Sequence, residues 1–404
     1  MDLVTWLVFV LVYAGMILGG LPGLALDRTG VALLGAIALI ATGRVSPEEA
    51  WEAIDVPTMG LLLGLMIVSA QFRLGGFYSH FTARLAAADV SPPMLLALVV
   101  SSAGVLSALL CNDIVCLAMA PILADGCARR GLDPVPFLLG LACASNVGSA
   151  ATLIGNPQNM LIGQVLGLRF DTYLLQASVP ALLGLVAVWL VLCAIERGRW
   201  HRETRVAAQM PHPFSAWQTS KALAVLGALV AALVLGSWPR EIAALAAAAV
   251  LLTSRRMASR EMLLLVDWHL LVLFAGLFVV NHALEQSGNL PQAVAYGREI
   301  GLDPAHPAWL FAASVLLSNI VSNVPAVMLL LPSASHELAG PVLALSSTLA
   351  GNLLIVGSIA NIIVVDQAAR LRLPITWRDH ARVGVPVTLA TLAIAAVWLW
   401  LLAA

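Results

Sequence analysis

The polar residues that could do chemistry in this chain interrupt long apolar runs. Gly155-Asn156-Pro157-Gln158-Asn159 falls inside the 31-residue apolar run 135–165, where a continuous helix would be expected. Proline removes a backbone donor and clashes with the preceding turn, yet it suits the first position of a new helix behind an Asn cap. The reading is a helix ending near Asn146 to Ala150, an unwound stretch through Gly148 and Gly155, and a second helix starting at Pro157. Cys111-Asn112-Asp113 interrupts 92–124, and Ser322-Asn323-Val324-Pro325 interrupts 306–336 in the same manner as the first break. Free N–H groups at a new helix start carry about half a positive charge and suit an anion, whereas carbonyls freed at the end of a first half suit a cation. No Lys or Arg lies in these breaks, so an oxyanion or a neutral hydroxylated solute would be held by backbone N–H, Asn, Ser and Gln.

Asp113 is the only carboxylate between Pro92 and Ala124. A carboxylate deep in a membrane is costly and functional by default, which makes Asp113 the candidate for proton or sodium coupling. A second role, compatible with the first, is a helix cap accepting the amides of Val115 or Cys116. Cys111 and Cys116 flank it, but a spacing of five without a third ligand points to small packing residues, and no metal site is expected. Asn281-His282, close to Glu285, could relay protons or mark a membrane interface. His336-Glu337 lacks the second His of a metalloprotease signature, because Gly340 stands there.

These breaks need membrane helices to position them. The 404 residues are 60% hydrophobic and 11% charged, with a mean hydropathy of +0.94. Ordinary globular chains carry about 25% charged residues, so a water-soluble enzyme is excluded. A net charge of −1 and four Tyr give neither a basic face nor a stacking platform for nucleic acid. The five cysteines lie in or beside apolar stretches, unlike a disulfide framework. No Lys or Arg precedes Arg28, so the first apolar stretch reads as a retained span.

Apolar runs place crossings at 3–21, 29–43, 56–74, 135–165, 172–195, 219–237, 240–254, 265–285, 340–366 and 383–402. The stretches 92–124 and 306–336 read as re-entrant hairpins whose halves are each too short to cross, with tips buried in protein or facing water. The expected fold is an all-α integral membrane protein of about ten transmembrane helices plus two hairpins. With this threading one face collects seventeen of the 21 Lys and Arg, among them Arg197, Arg199, Arg202, Arg205, Arg255 and Arg256, and the other keeps Arg44, Arg169, Arg240 and Arg298. Cytoplasmic loops hold the positive excess, so both termini are expected outside the cytoplasm. The short segment 240–254 is the least secure crossing; pairing it with its neighbour as a hairpin would preserve the parity.

A shift of 211 residues lays Ser107, Asn112 and Pro121 over Ser318, Asn323 and Pro332. A shift of 212 lays Asp55 and Gly76 over Asp267 and Gly288, and further on Asn146 and Asn159 match Asn352 and Asn361. The chain divides into repeat 1 (1–195), a cytoplasmic linker (196–218) and repeat 2 (219–404). Five crossings per half start the second half on the opposite face, so the repeats are inverted and their broken helices meet near the midplane, as in secondary transporters. Shared composition alone would not place the matches on the interrupting Asn and Pro.

The segment Ser145 to Asn159, the two tips and Gly357-Ser358-Ile359-Ala360-Asn361 together resemble the ion transporter superfamily over residues 1–400. The resemblance is to the branch of arsenite and antimonite permeases, sodium/proton antiporters and short citrate-transporter-like anion permeases. It implies two hairpins and two broken helices around one substrate site, moving against a scaffold, often in a homodimer. Carried over by position, the site falls on Asn112, Asp113, Ser145, Asn146, Gly155, Asn156, Asn159, Ser322, Asn323, Gly357, Ser358 and Asn361, joined from the residue reading by Gly148 and Gln158. The tips depart from the Ser-Asn-Thr of sodium-coupled dicarboxylate carriers, and the second broken helix lacks a Pro, which leaves its unwinding open. The expected function is secondary transport, across a bacterial-type cytoplasmic membrane, of a small anion or hydroxylated metalloid coupled to H+ or membrane potential. The alternatives are a sodium/proton antiporter and a sodium-coupled carboxylate or sulfate carrier. No cofactor, catalytic residue or nucleic-acid partner is expected; an intramembrane enzyme would need a nucleophile and base constellation that the sequence does not offer.

Overall fold

The computed structural model describes residues 2–21, 23–202, 206, 213–236, 238–254, 257–288, 303 and 306–403. Arg205, Arg255, Arg256 and Arg298 of the charge tally lie outside the described residues. The first half runs α1 (Leu3–Leu18), α2 (Arg28–Ala41), α3 (Pro47–Glu52), α4 (Val56–Leu74), α5 (Phe77–Ala86), α6 (Pro92–Leu109), α7 (Asn112–Arg129), α8 (Pro134–Ser149), α9 (Pro157–Val165) and α10 (Phe170–Ile195). The second runs α11 (Ala216–Leu235), α12 (Arg240–Leu252), α13 (Ser259–Leu263), α14 (Trp268–Gln286), α15 (Pro307–Val321), α16 (Asn323–Leu330), α17 (Ala339–Ala350), α18 (Ile359–Arg370) and α19 (Trp377–Ala403). Six of these helices are long and apolar enough to cross a membrane: α4, α6, α10, α11, α14 and α19.

Local chemistry sets the helix starts. Asp55 caps α4 by accepting Thr58 N at 2.7 Å, and Asp267 caps α14 by accepting Leu270 N at 3.0 Å, satisfying otherwise orphaned donors. Each of these helices is followed by a glycine in the left-handed region, Gly76 at φ 70° and Gly288 at φ 71°.

Packing is reciprocal between the halves. A Cβ added at Gly64 of α4 would lie 2.7 Å from the backbone of Ala244 in α12, and one at Gly276 of α14 would lie 2.8 Å from the backbone of Ala32 in α2. Gly276 follows Gly64, and Ala244 follows Ala32, by the same 212 residues. Two contacts that exchange under one sequence shift place α2 beside α14 as α12 is beside α4, and the missing Cβ lets the backbones touch.

The first hairpin departs from expectation in its length. α6 and α7 are each 18 residues, about 27 Å at 1.5 Å per residue, close to the thickness of a hydrocarbon core. Its tip is nonetheless re-entrant in its contacts, since Asn112 N donates to Gly155 O at 3.2 Å within the broken helix. The second hairpin is shorter, with a 15-residue α15 and an 8-residue α16. α12 has 13 residues and lies against α4, so its short length is sheltered by a neighbouring span.

Candidate solute site at the crossed broken helices

The first break forms where expected. Asn156 sits extended (φ −150°, ψ 160°) and accepts Asn159 N at 2.9 Å, so α9 starts at Pro157 with its cap in place. Asn159 turns back, its Nδ2 donating to Thr152 O at 2.9 Å and to Ser149 O at 3.3 Å, while the Tyr173 hydroxyl donates to Ala150 O at 2.8 Å. A Cβ at Gly155 would lie 2.3 Å from Ser149 O and 2.8 Å from Ser107 O, so only glycine fits this turn. Gly148 is not part of the unwound stretch; it remains in α8, where its backbone packs on Gly104 of α6.

The second break unwinds without a proline. α17 stops at Ala350 and α18 starts at Ile359, with a short 3-10 turn through Gly357 between them. Asn361 repeats the work of Asn159, donating from Nδ2 to Gly351 O at 2.8 Å and to Leu354 O at 3.2 Å. Asn319 Nδ2 donates to Ala350 O at 3.2 Å. These carbonyls are therefore closed by side-chain amides, not left open to a cation as the sequence reading held. Buried carbonyls need partners, and carboxamides supply them without charge.

The two breaks cross at Asn146. Its Nδ2 donates to Asn352 Oδ1 at 2.8 Å and to Asn361 Oδ1 at 3.1 Å, and its Oδ1 accepts the Ser358 hydroxyl at 2.8 Å. Beside it, Asn156 Nδ2 donates to Ser149 Oγ at 2.9 Å and Gln158 Nε2 to Thr348 Oγ1 at 3.1 Å. Asn323, with its amide oriented to satisfy both ends, donates to Ser347 O (3.0 Å) and Gly357 O (3.1 Å) and accepts from Gln158 (3.2 Å). Asn323 is thus a bridge between halves and not the cap of a helix starting at Pro325: Ser322 occupies the cap position and Asn323 already begins α16.

At the first tip, Ser145 Oγ donates to Asn112 O at 3.2 Å and accepts Ser107 Oγ at 3.0 Å. Asp113 stands apart. Cys111 is the cap residue of α7, without a side-chain bond, so Asp113 is not the cap. It is half-buried in the first turn and, among the described residues, has no hydrogen bond from its carboxylate and no ion pair. Its charged neighbour is Asp267. Among the described residues, buried polar atoms around the tips that lack partners include Asn112 Oδ1, Ser318 Oγ and Asn319 Oδ1.

A citrate transporter family model matches residues 6–342. The chain belongs to the citrate transporter (CitMHS) family. An uncharacterised transporter of Mycobacterium tuberculosis is 29% identical over 401 residues, covering 93% of this chain and 94% of that protein. The silicon efflux transporter of Oryza sativa subsp. japonica is 29% identical over 452 residues, covering 92% of each. The crystal structure of the Alcanivorax borkumensis YdaH transporter matches with a TM-score of 0.57 at 16% identity, over 98% of this chain and 96% of that one. This citrate transporter family chain is a multi-pass, all-helical membrane transporter and not an enzyme.

The family chain also uses residues that sequence reasoning passed over. Thr348, Ser149, Tyr173 and Asn319 carry bonds in the site. Ser346-Ser347-Thr348 in an otherwise apolar run was the available signal for the first, and Asn352 was marked only as the repeat partner of Asn146. Ser322 brings strain to the second tip: φ 77°, ψ 161° is a region that essentially only glycine adopts. Ser322→Gly is expected to raise stability by about 1 kcal/mol, the relieved strain less the added unfolded-chain entropy of glycine. Thermal unfolding in detergent checks this; a lower midpoint would contradict it.

Proposed function

We propose that this secondary transporter carries a small uncharged hydroxylated solute of the metalloid-acid type, such as arsenous or silicic acid, with proton coupling at Asp113. The observation that carries the reading is a solute site made of carboxamides and hydroxyls with no Lys or Arg in its bonded network among the described residues; the His380 imidazole meets it at the Asn352 backbone carbonyl, 3.0 Å away. Moving a di- or tricarboxylate into such a place would bury charge without a counter-ion, at a cost of several kcal/mol per charge. A neutral polyhydroxylated molecule both donates and accepts, which is what amide and hydroxyl walls complement. The silicon efflux activity named for the rice relative supports this solute class. Asp113, without a bonded partner among the described residues, supports a second reading, sodium/proton exchange on the same scaffold.

The inverted arrangement of the halves, a cytoplasmic-membrane location and termini outside the cytoplasm belong to the same proposal. They rest on the reciprocal packing and on the distribution of Lys and Arg. A homodimer is proposed from the resemblance alone.

In proteoliposomes, arsenous acid and germanic acid, a silicic acid analogue, are expected to move, and the rate should fall as alkaline pH turns the solute into its anion. Citrate at neutral pH should neither move nor compete. Citrate transport, or a rate that rises with the anionic fraction, would reject the solute class; sodium-driven proton movement without solute would select the antiporter.

A further inference from the structure

A cleft of about 310 Å³ opens beside the second hairpin, walled by Leu161 of α9, Phe278 and Asn281 of α14, and Met328 of α16. Asn281 follows Ser69 by 212 residues, so the two occupy related positions on α14 and α4. Ser69 Oγ accepts Cys111 N at 3.4 Å and so fastens the first tip directly. Among the described residues, Asn281 reaches the second tip through Tyr13, whose hydroxyl donates to Asn281 Oδ1 at 2.9 Å and lies 3.4 Å from Pro325 O. Tyr13 has no counterpart in the other half, where Val225 stands 212 residues on.

Asn281 is 8% exposed, yet its Nδ2 has no partner among the described residues. A buried amide nitrogen without an acceptor is costly, and here it belongs to a residue lining the cleft. The tip it serves is also the strained one, at Ser322.

We propose that Tyr13 and Asn281 are positioning residues that latch the second hairpin at the floor of the solute's portal, and that Asn281 Nδ2 meets a solute oxygen when the tip parts from α14. The proposal rests on the transporter reading but not on the identity of the solute. With the latch intact, one hydroxyl is shared between α14 and the tip. When it opens, the apolar walls separate and Met328 becomes reachable from water.

The test introduces Met328→Cys and follows its modification by a membrane-impermeant maleimide in intact membranes, with the parent chain as background. Four of the five native cysteines are buried and the fifth is only partly exposed, which keeps that background low. Tyr13→Phe keeps the ring and its packing on Phe9 while removing the hydroxyl, and should speed modification about three- to tenfold, the range one hydrogen bond commands. Asn281→Ser, which installs the residue type of position 69, removes the hydroxyl's anchor on α14 but leaves its contact with Pro325 O, and should speed modification by less than Tyr13→Phe does. The double variant should match Tyr13→Phe, because the hydroxyl carries both contacts and, once it is gone, Asn281 has no further hold on the tip. Rates unchanged in both singles, or multiplying in the double, would overturn the latch. Modification is read without solute, so failure of the metalloid assignment in transport assays leaves this result interpretable by itself.

Discussion

Asn146→Ala is expected to abolish transport and to lower stability by about 3 kcal/mol or more. Three polar groups lose their partner at once: Asn352 Oδ1, Asn361 Oδ1 and the Ser358 hydroxyl. All lie among residues at most 3% exposed, so water cannot readily replace the lost amide. Leaving one buried group unpaired costs roughly 1–3 kcal/mol, and the three penalties share a cavity and will not add fully. Asn146→Asp is the informative companion. It keeps an acceptor for Ser358 but removes both donors and adds a charge, so it should fare no better. Thermal unfolding in detergent and solute flux in proteoliposomes measure the two effects; an alanine variant with native stability and flux would remove Asn146 from the centre of the site.

Asp113→Asn is expected to cut accumulation driven by a pH gradient by about tenfold or more, a typical size for coupling free energies, while solute exchange down its own gradient persists. The carboxylate has no bonded partner among the described residues and lies outside the amide network. Its neutral isostere should therefore leave the solute's walls intact and remove only a site for the coupled ion. Loss of exchange together with accumulation would make Asp113 a solute ligand. Accumulation that survives would place coupling elsewhere, and these outcomes are read from the same vesicles under counterflow and under an imposed pH gradient.

The breaks were legible because their signals are local. A Pro behind an Asn, and a glycine in a turn too tight for a Cβ, act within a few residues, and Asn156 caps α9 as its position in sequence required. The internal correspondence showed in the sequence because the interrupting Asn and Pro recur at a shift of 211, and the Gly64 and Gly276 contacts exchange at the neighbouring shift of 212. Membrane character follows from composition alone. What only the tertiary structure decided is who bonds to whom. Asn323 looked like a cap and is a bridge to Gln158; Asp113 looked like a cap and is not one, nor does it join the amide network; the unwound carbonyls looked open and are filled by Asn159 and Asn361. A cap is specified by its own next three residues, whereas a carboxamide in a dry interior takes whichever acceptor the crossing of distant helices brings within about 3 Å, and that crossing is set by packing across the whole molecule.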